Sequence, residues 1–487
     1  MLKQIHYPFI GVLLVIGTLV TPAYSQAANT TADKTDNQPN IILIVTDDQG
    51  YMDVGFNGGT EIPTPQIDRI ANEGVRFDQG YVSYPVCGPS RAGFMTGRYQ
   101  GRFGFTTNPT MNPAIPNAGV RLDEEMISEV LKKQGYSTMA IGKWHLGIQP
   151  DYQPRNQGFD EFFGFLSGGH QYFPELLTLN SMQEVIDNET SWYYMRLLDN
   201  GKRVDIDKYL TDALSDRAVE FIERKKDQPF FLYLAYNAPH TPYQATEKYL
   251  DRFTHIEDER RRTYAAMISA VDDGVGAVLD KLDELGIADN TLIFFLSDNG
   301  GPINKSHVAD NGALRAGKGS LFEGGVRVPF AMRWPQIVKP GTDYVKPISS
   351  LDIMATIAAQ TGAIIAKERP LDGVDLLPYV TGENPGNPHE VLFWRQLSKG
   401  SYAVRHGDMK MVLGESKADE NDTLLFDLSQ DISEKKNLSG GQKATLERFI
   451  TLKDEWEEEL EDQAFPELRS WRPWIDESTG KPKRKKK

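Results

Sequence analysis

Asn40-Ile41-Ile42-Leu43-Ile44-Val45-Thr46-Asp47-Asp48-Gln49 joins an unbroken apolar run to two adjacent carboxylates. A stretch of aliphatic, mostly β-branched residues without polar alternation suits a central parallel strand, because helices cover both faces of such a sheet. Phe230-Phe231-Leu232-Tyr233-Leu234 and Leu292-Ile293-Phe294-Phe295-Leu296 repeat that character. Helical periodicities lie over Pro65 to Glu73, Ser128 to Gln134, Tyr209 to Lys226 and Arg260 to Leu285. Strands alternating with helices predict an α/β domain built on a mostly parallel sheet. Ligands of such sheets collect beyond the carboxyl ends of the strands. The residues that follow each apolar run are therefore the place to look for chemistry.

Two of those strand ends are acidic. Asp47-Asp48 follows the first run, and Ser297-Asp298-Asn299-Gly300-Gly301 follows the third. Adjacent carboxylates repel one another, and a hard divalent cation with several oxygen ligands relieves the repulsion. No His or Cys cluster suited to zinc accompanies either pair. Each pair alone also fits a helix cap or a turn. Both ending buried strands favours an ion, Ca²⁺ ahead of Mg²⁺ where the site leaves little room for water. Cations come in equally compact phrases: Gly142-Lys143-Trp144-His145-Leu146-Gly147, Asn237-Ala238-Pro239-His240-Thr241-Pro242, and Ala316-Gly317-Lys318-Gly319. A single Lys is usually solvated and a single His usually structural; several such phrases placed after strands are harder to dismiss.

The 487 residues suffice for a large core and two domains, and ordinary apolar and charged fractions argue against wholesale disorder. A formal net charge of −15 argues against a nucleic-acid partner. Lys3, the apolar run Ile10 to Val20 and the small residues Ala23-Tyr24-Ser25 read as an export signal over residues 1–25, with a flexible lead over 26–38. That run is too short for a stable membrane span. Export without a disulfide pair points to a periplasmic or secreted bacterial protein. The one cysteine stands in Tyr84-Pro85-Val86-Cys87-Gly88-Pro89-Ser90-Arg91-Ala92-Gly93. A lone thiol either fills core space or carries chemistry of its own.

The spelling Cys87-Gly88-Pro89-Ser90-Arg91, with Thr96-Gly97-Arg98 downstream, resembles the signature of the type I sulfatases of the alkaline-phosphatase-like superfamily. The Lys143-Trp144-His145 and Asp298-Asn299-Gly300 phrases, Gln157 to Gly164, and Gly325-Val326-Arg327-Val328-Pro329 match as well. The resemblance runs from Pro39 to about Leu377 and on into the C-terminal part. It implies a mixed, mostly parallel sheet flanked by helices, and a cysteine oxidised by a formylglycine-generating maturation enzyme. The hydrated aldehyde would be the nucleophile, its second hydroxyl the route by which sulfate leaves. By matching positions, Asp47, Asp48, Asp298 and Asn299 would hold the metal with the modified Cys87. Arg91 and Lys143 would hold the formylglycine, and His145 would act as base on its hydroxyl. Lys318 and His240 would contact the sulfate ester, with His240 as general acid on the leaving alcohol.

Short strand patterns at Val391 to Arg395, Tyr402 to Arg405, Lys410 to Leu413 and Thr423 to Phe426, then a helix over Thr445 to Glu459, predict a small α+β subdomain. The expected domains are thus 39–385 and 386–475, followed by a basic tail over 476–487. The expected substrate is a sulfated carbohydrate, a galactose- or N-acetylgalactosamine-containing one. His170, Tyr172, Trp394 and Arg395 are its candidate contacts, though loop packing accounts for each equally well. Two other readings stay open: a phosphate or phosphonate ester hydrolase of the same superfamily, and a non-catalytic glycan-binding protein on this fold.

Overall fold

The computed structural model describes residues 38–181, 184, 191–303, 308–415, 423–466, 475–476 and 481–482. The expected export signal, the lead up to residue 37 and nearly all of the basic tail lie outside the described residues. Among the described residues twelve strands precede the C-terminal part: β1 (Asn40–Thr46), β2 (Val75–Phe77), β3 (Gly80–Tyr81), β4 (Ser137–Lys143), β5 (Glu161–Phe165), β6 (Leu197–Asp199), β7 (Lys202–Val204), β8 (Phe230–Ala235), β9 (Thr291–Ser297), β10 (Phe330–Arg333), β11 (Thr342–Tyr344) and β12 (Ile348–Ser349). Ten of them form one sheet in the order β11-β2-β10-β9-β1-β8-β4-β5-β6-β7. Its centre, β9-β1-β8-β4-β5, is parallel throughout. Antiparallel β10 and β6 flank that centre on either side. The sheet is mixed with a parallel heart, as the uninterrupted apolar runs require.

Side chains of the central strands alternate between two cores. Ile41, Leu43 and Val45 of β1 join Leu292, Phe294 and Leu296 of β9 in one. Ile42 and Ile44 join Ile293 and Phe295 in the other. Helices α1 (Pro65–Asn72), α2 (Cys87–Thr96), α3 (Ile127–Lys133), α4 (Leu210–Lys225), α5 (Glu247–Leu250) and α6 (Glu259–Glu284) surround the sheet. The second core is closed by α4 and α6 through Leu214, Phe221, Ile268 and Val275. The first is closed by α2 and α3 through Phe94, Met95, Ile127 and Leu131. Among the described residues no helix is long and apolar enough to cross a membrane.

The C-terminal sheet is an antiparallel meander of β13 (Val391–Gln396), β14 (Ser401–His406), β15 (Met409–Leu413) and β16 (Thr423–Asp427). A helix over Lys443–Glu457 covers one face, with Phe449 on Val404, Met411 and Leu425. The opposite face packs Leu392, Trp394, Val412 and Phe426 against Tyr81, Leu321, Phe322 and Val326 of the main body. Charges are buried in that seam. Lys410 Nζ lies 2.9 Å from Glu323 Oε1 and 3.0 Å from Glu434 Oε1, with all three side chains inaccessible. Tyr81 Oη donates to Glu323 Oε2 at 2.6 Å. Burial raises the Glu434 carboxyl, Lys410 opposes it and the Glu323 carboxylate adds to it. Burial would raise Glu323 too, but Lys410, Arg327 and Arg405 hold it well below its ordinary value.

Removing one member of such a group leaves uncompensated buried charge, at a cost of about 3–5 kcal/mol. Lys410→Met should lose stability on that scale in urea unfolding at pH 8. The loss should shrink toward pH 5. A carboxyl raised in the folded state contributes stability below its unfolded value and loses it as pH rises through the folded one. A loss under about 1 kcal/mol at both pH values would show that the seam does not depend on this cation.

Candidate active site

Register places the chemistry. Thr46 of β1 pairs with Ser297 of β9, and Val45 pairs with Ala235 of β8, whose neighbour on its other side is Gly142 of β4. Asp47-Asp48, Asp298-Asn299, Lys143 and Asn237 therefore leave adjacent strands at one edge. Asp48 and His145 both stand in the left-handed region, at φ 65° and 60°. Non-glycine residues held there are strained, and such strain gathers at functional sites. A Cβ on Gly168 would lie 2.6 Å from His145 Nε2, so the ring sits directly on glycine backbone.

Cys87 is the first residue of α2, a helix whose every residue is buried. Val86 is extended, and Pro89 falls in the first turn, where its missing N–H needs no helical partner. Gly88 N donates to Asn108 Oδ1 at 2.9 Å, fixing that end. The partial positive charge of the helix start thus meets the acidic strand ends. Cys87 Sγ lies 3.6 Å from Asp47 Oδ1 and 3.2 Å from Lys318 Nζ.

Three carboxylates face three cations around it. Lys143 Nζ is 2.6 Å from Asp47 Oδ2, Lys318 Nζ is 2.6 Å from Asp48 Oδ1, and Arg91 Nε donates to Asp298 Oδ2 at 2.8 Å. Arg91 also donates to the Lys143 carbonyl and to Tyr233 Oη, at 3.1 and 3.0 Å. Ligand atoms of Asp47, Asp48, Cys87 and Asp298 lie within 4.8 Å of one another, and this group can hold a metal ion. Asn299 fits the same donor set. Its Nδ2 donates to Asp48 Oδ1 at 2.7 Å, while its buried Oδ1 has no hydrogen-bond partner.

Burial governs the titrations. It pushes the Cys87 thiol up to about 12, against the pull of Lys143 and Lys318. Burial would raise Asp48 as well, but Lys318 and His240 hold it far below the carboxylate range. Desolvation disfavours the Lys318 ammonium, yet the surrounding anions, Asp48 first, raise it well above its ordinary value. Burial brings His240 down to about 3 and takes His145 well below its ordinary value, with Lys143 adding to the latter. Burial thus disfavours the charged form of both imidazoles. His240 Nδ1 lies 2.6 Å from the Thr241 carbonyl, which makes Nδ1 the donor and turns Nε2 toward Asp48, 3.7 Å away.

All ten residues named for metal and catalysis converge here, and Cys87, His145, His240 and Lys318 line a cavity of about 90 Å³. The substrate candidates fare differently. Tyr172 is inaccessible and donates through Oη to the carbonyls of Asn237 and His240, both at 2.7 Å. It supports the His240 loop and cannot stack on a sugar. Trp394 is equally enclosed, its Nε1 donating to the Val82 carbonyl and its ring lying on Tyr81. Arg395 donates to the Glu461 carbonyl at 3.0 Å in the C-terminal packing. His170 lines a neighbouring cavity, its ring tilted against that of Phe165 with centroids 4.6 Å apart. The reactive pocket instead gains Asn108, Met111, Trp192 and Tyr193. An aromatic cluster, Ser191-Trp192-Tyr193-Tyr194, between two strands was the available signal for the last two.

Comparison with known proteins agrees with this geometry. Residues 39–363 match the Sulfatase family, and residues 317–462 match the C-terminal domain described as N-sulphoglucosamine sulphohydrolase, C-terminal. An uncharacterised sulfatase of Escherichia coli, YdeN, is 34% identical over 74% of this chain and 69% of its own length. Human N-acetylgalactosamine-6-sulfatase is 36% identical over 70% of this chain and 65% of its own. A solved structure, Ps i-CgsB in complex with k-i-k-neocarrahexaose, shares 40% identity and a TM-score of 0.83, covering 90% of this chain and 97% of that one. The chain belongs to the sulfatase family and is a sulfatase, a sulfate ester hydrolase built on the alkaline-phosphatase-like fold.

Proposed function

We propose that this sulfatase removes sulfate from a sulfated glycan of the galactan type, after Cys87 has been converted to formylglycine and a Ca²⁺ ion bound beside it. The observation that carries the reading is the position of Cys87 Sγ, between Asp47 Oδ1 and Lys318 Nζ in a pocket that His145 and His240 also line. A thiol pushed up to about 12 is protonated at neutral pH and a poor nucleophile there. Formylglycine would supply a hydroxyl nucleophile, and a second hydroxyl through which sulfate departs without water attacking sulfur. Cys87 is only 2% exposed, which favours a maturation enzyme that acts before folding.

Asp47, Asp48, Asp298 and the free Oδ1 of Asn299 would hold the ion, an all-oxygen protein set that suits Ca²⁺. The ion would offset charge arriving on sulfate oxygens. Lys143 holds Asp47 in place and Arg91 holds Asp298. Lys318 presents its ammonium to position 87 and to the incoming anion. His240 Nε2 is the atom that takes up a proton and hands it to the leaving alcohol. A sulfate ester beside it opposes the desolvation that holds it near 3, so protonation accompanies substrate binding. His145, facing the same pocket, receives the proton of the position-87 hydroxyl. The similarity to a protein bound to a neocarrahexaose supports a galactan substrate, and the N-terminal sequence supports export to the periplasm or medium.

Three outcomes follow. Mass analysis of the Cys87 peptide from exported protein should show the aldehyde, and Cys87→Ser should keep the fold while losing multiple turnover; steady-state release of sulfate by that variant would refute the nucleophile. Activity should vanish on chelation and return with Ca²⁺ more fully than with Mg²⁺. His240→Ala should cost about 10²–10⁴-fold on glycan sulfates and far less on 4-nitrophenyl sulfate, whose phenolate needs no proton. Equal losses on both would deny His240 its role. Sulfate measured from defined sulfated oligosaccharides, against matched phosphate esters, tests the whole reading; faster phosphate hydrolysis would overturn it.

A further inference from the structure

Beside the reactive pocket lies a second cavity of about 330 Å³. The two share Met111 and Trp192, while the consecutive residues Ser167 and Gly168 line one each. Its polar lining is Gln153, Ser167, His170, Asn180 and Arg203, with no carboxylate among the described residues. Among the described residues Arg203 is the sole charge in that lining. Its Nη1 donates to the Arg196 carbonyl, and among the described residues no carboxylate pairs with it. Neighbouring arginines behave otherwise: Arg196 pairs with Asp205 at 2.6 Å and Arg217 with Asp199 at 2.7 Å. Burial alone pulls the Arg203 guanidinium below its ordinary value, the mark of a cation without a counter-ion. His170 adds no charge, because burial takes it down to about 4.

A half-buried guanidinium without an anion is costly unless a ligand supplies one. Its planar fork of donors matches the oxygens of a sulfate. The cavity is of a size to hold one sugar ring. We propose that this cavity is an anion subsite, in which Arg203 holds a second sulfate on the sugar next to the one being desulfated. The enzyme would then prefer glycans sulfated on adjacent residues. The inference rests on the glycan reading above and names the substrate feature that sets specificity.

The test compares kcat/KM of the calcium-loaded, formylglycine-bearing enzyme on two oligosaccharides of equal length, one with a single sulfate and one with sulfates on adjacent sugars. The ratio favouring the doubly sulfated glycan should fall about tenfold in Arg203→Gln, as expected for a lost charge-assisted contact. Arg203→Lys should keep part of it, since an ammonium retains the charge without the fork. The change should lie in KM rather than kcat. An unchanged ratio in Arg203→Gln, with unaltered thermal unfolding, overturns the subsite. If the wild type desulfates neither glycan, the galactan reading fails instead. Calorimetric binding of the doubly sulfated glycan to Cys87→Ala, with and without Arg203→Gln, then decides the subsite alone: a tenfold weaker affinity supports it and equal affinity overturns it.

Discussion

The structure depends on the pairing of three buried carboxylates with three cations at one edge of the sheet, Arg91 and Lys143 buried and Lys318 partly exposed. Asp47 with Lys143, Asp48 with Lys318 and Asp298 with Arg91 meet around the N-terminus of a single helix. Isolated charges so deep would be prohibitively expensive, and they persist because each finds its counter-ion within hydrogen-bond distance. The balance is also the functional design. The protein as a whole is strongly acidic, at −15, yet this pocket is neutral by its own side chains. A divalent cation held by the same carboxylates would make it positive, which is how an acidic enzyme can attract an anionic ester.

Holding that cluster together needs rigid support, and the fold provides it from several directions. Parallel strands buried on both faces fix the acidic ends in register. A helix buried along its whole length presents position 87 to them. Tyr172, through two carbonyls, ties down the turn that carries His240. The C-terminal sheet reaches the site indirectly. Lys410 and Glu434 grip Glu323, a few residues beyond Lys318, and Lys399 Nζ donates to the Gly319 carbonyl. The small sheet thereby braces the loop that carries Lys318 to the site.

Much of this was legible in the linear chain. The apolar runs at Ile41 to Val45, Phe230 to Leu234 and Leu292 to Leu296 read as central strands because no polar residue interrupts them, and all three lie in the parallel heart. The expected helices over 65–73, 128–134, 209–226 and 260–285 match the observed bounds within a residue or so. The substrate surface was not legible. Trp394 and Tyr172 looked like sugar platforms because an aromatic ring has the same appearance in a sequence whether it faces water or a core. Burial decided against both.

The sequence by itself determined the class of fold, the acidic strand ends and the reactive phrase at Cys87, since each is a local pattern of residue types. Tertiary structure alone decided which charges pair, which aromatics are open, and that burial disfavours the charged form of both His145 and His240. Those are properties of distance and desolvation between segments far apart in the chain. A one-dimensional pattern carries no record of either.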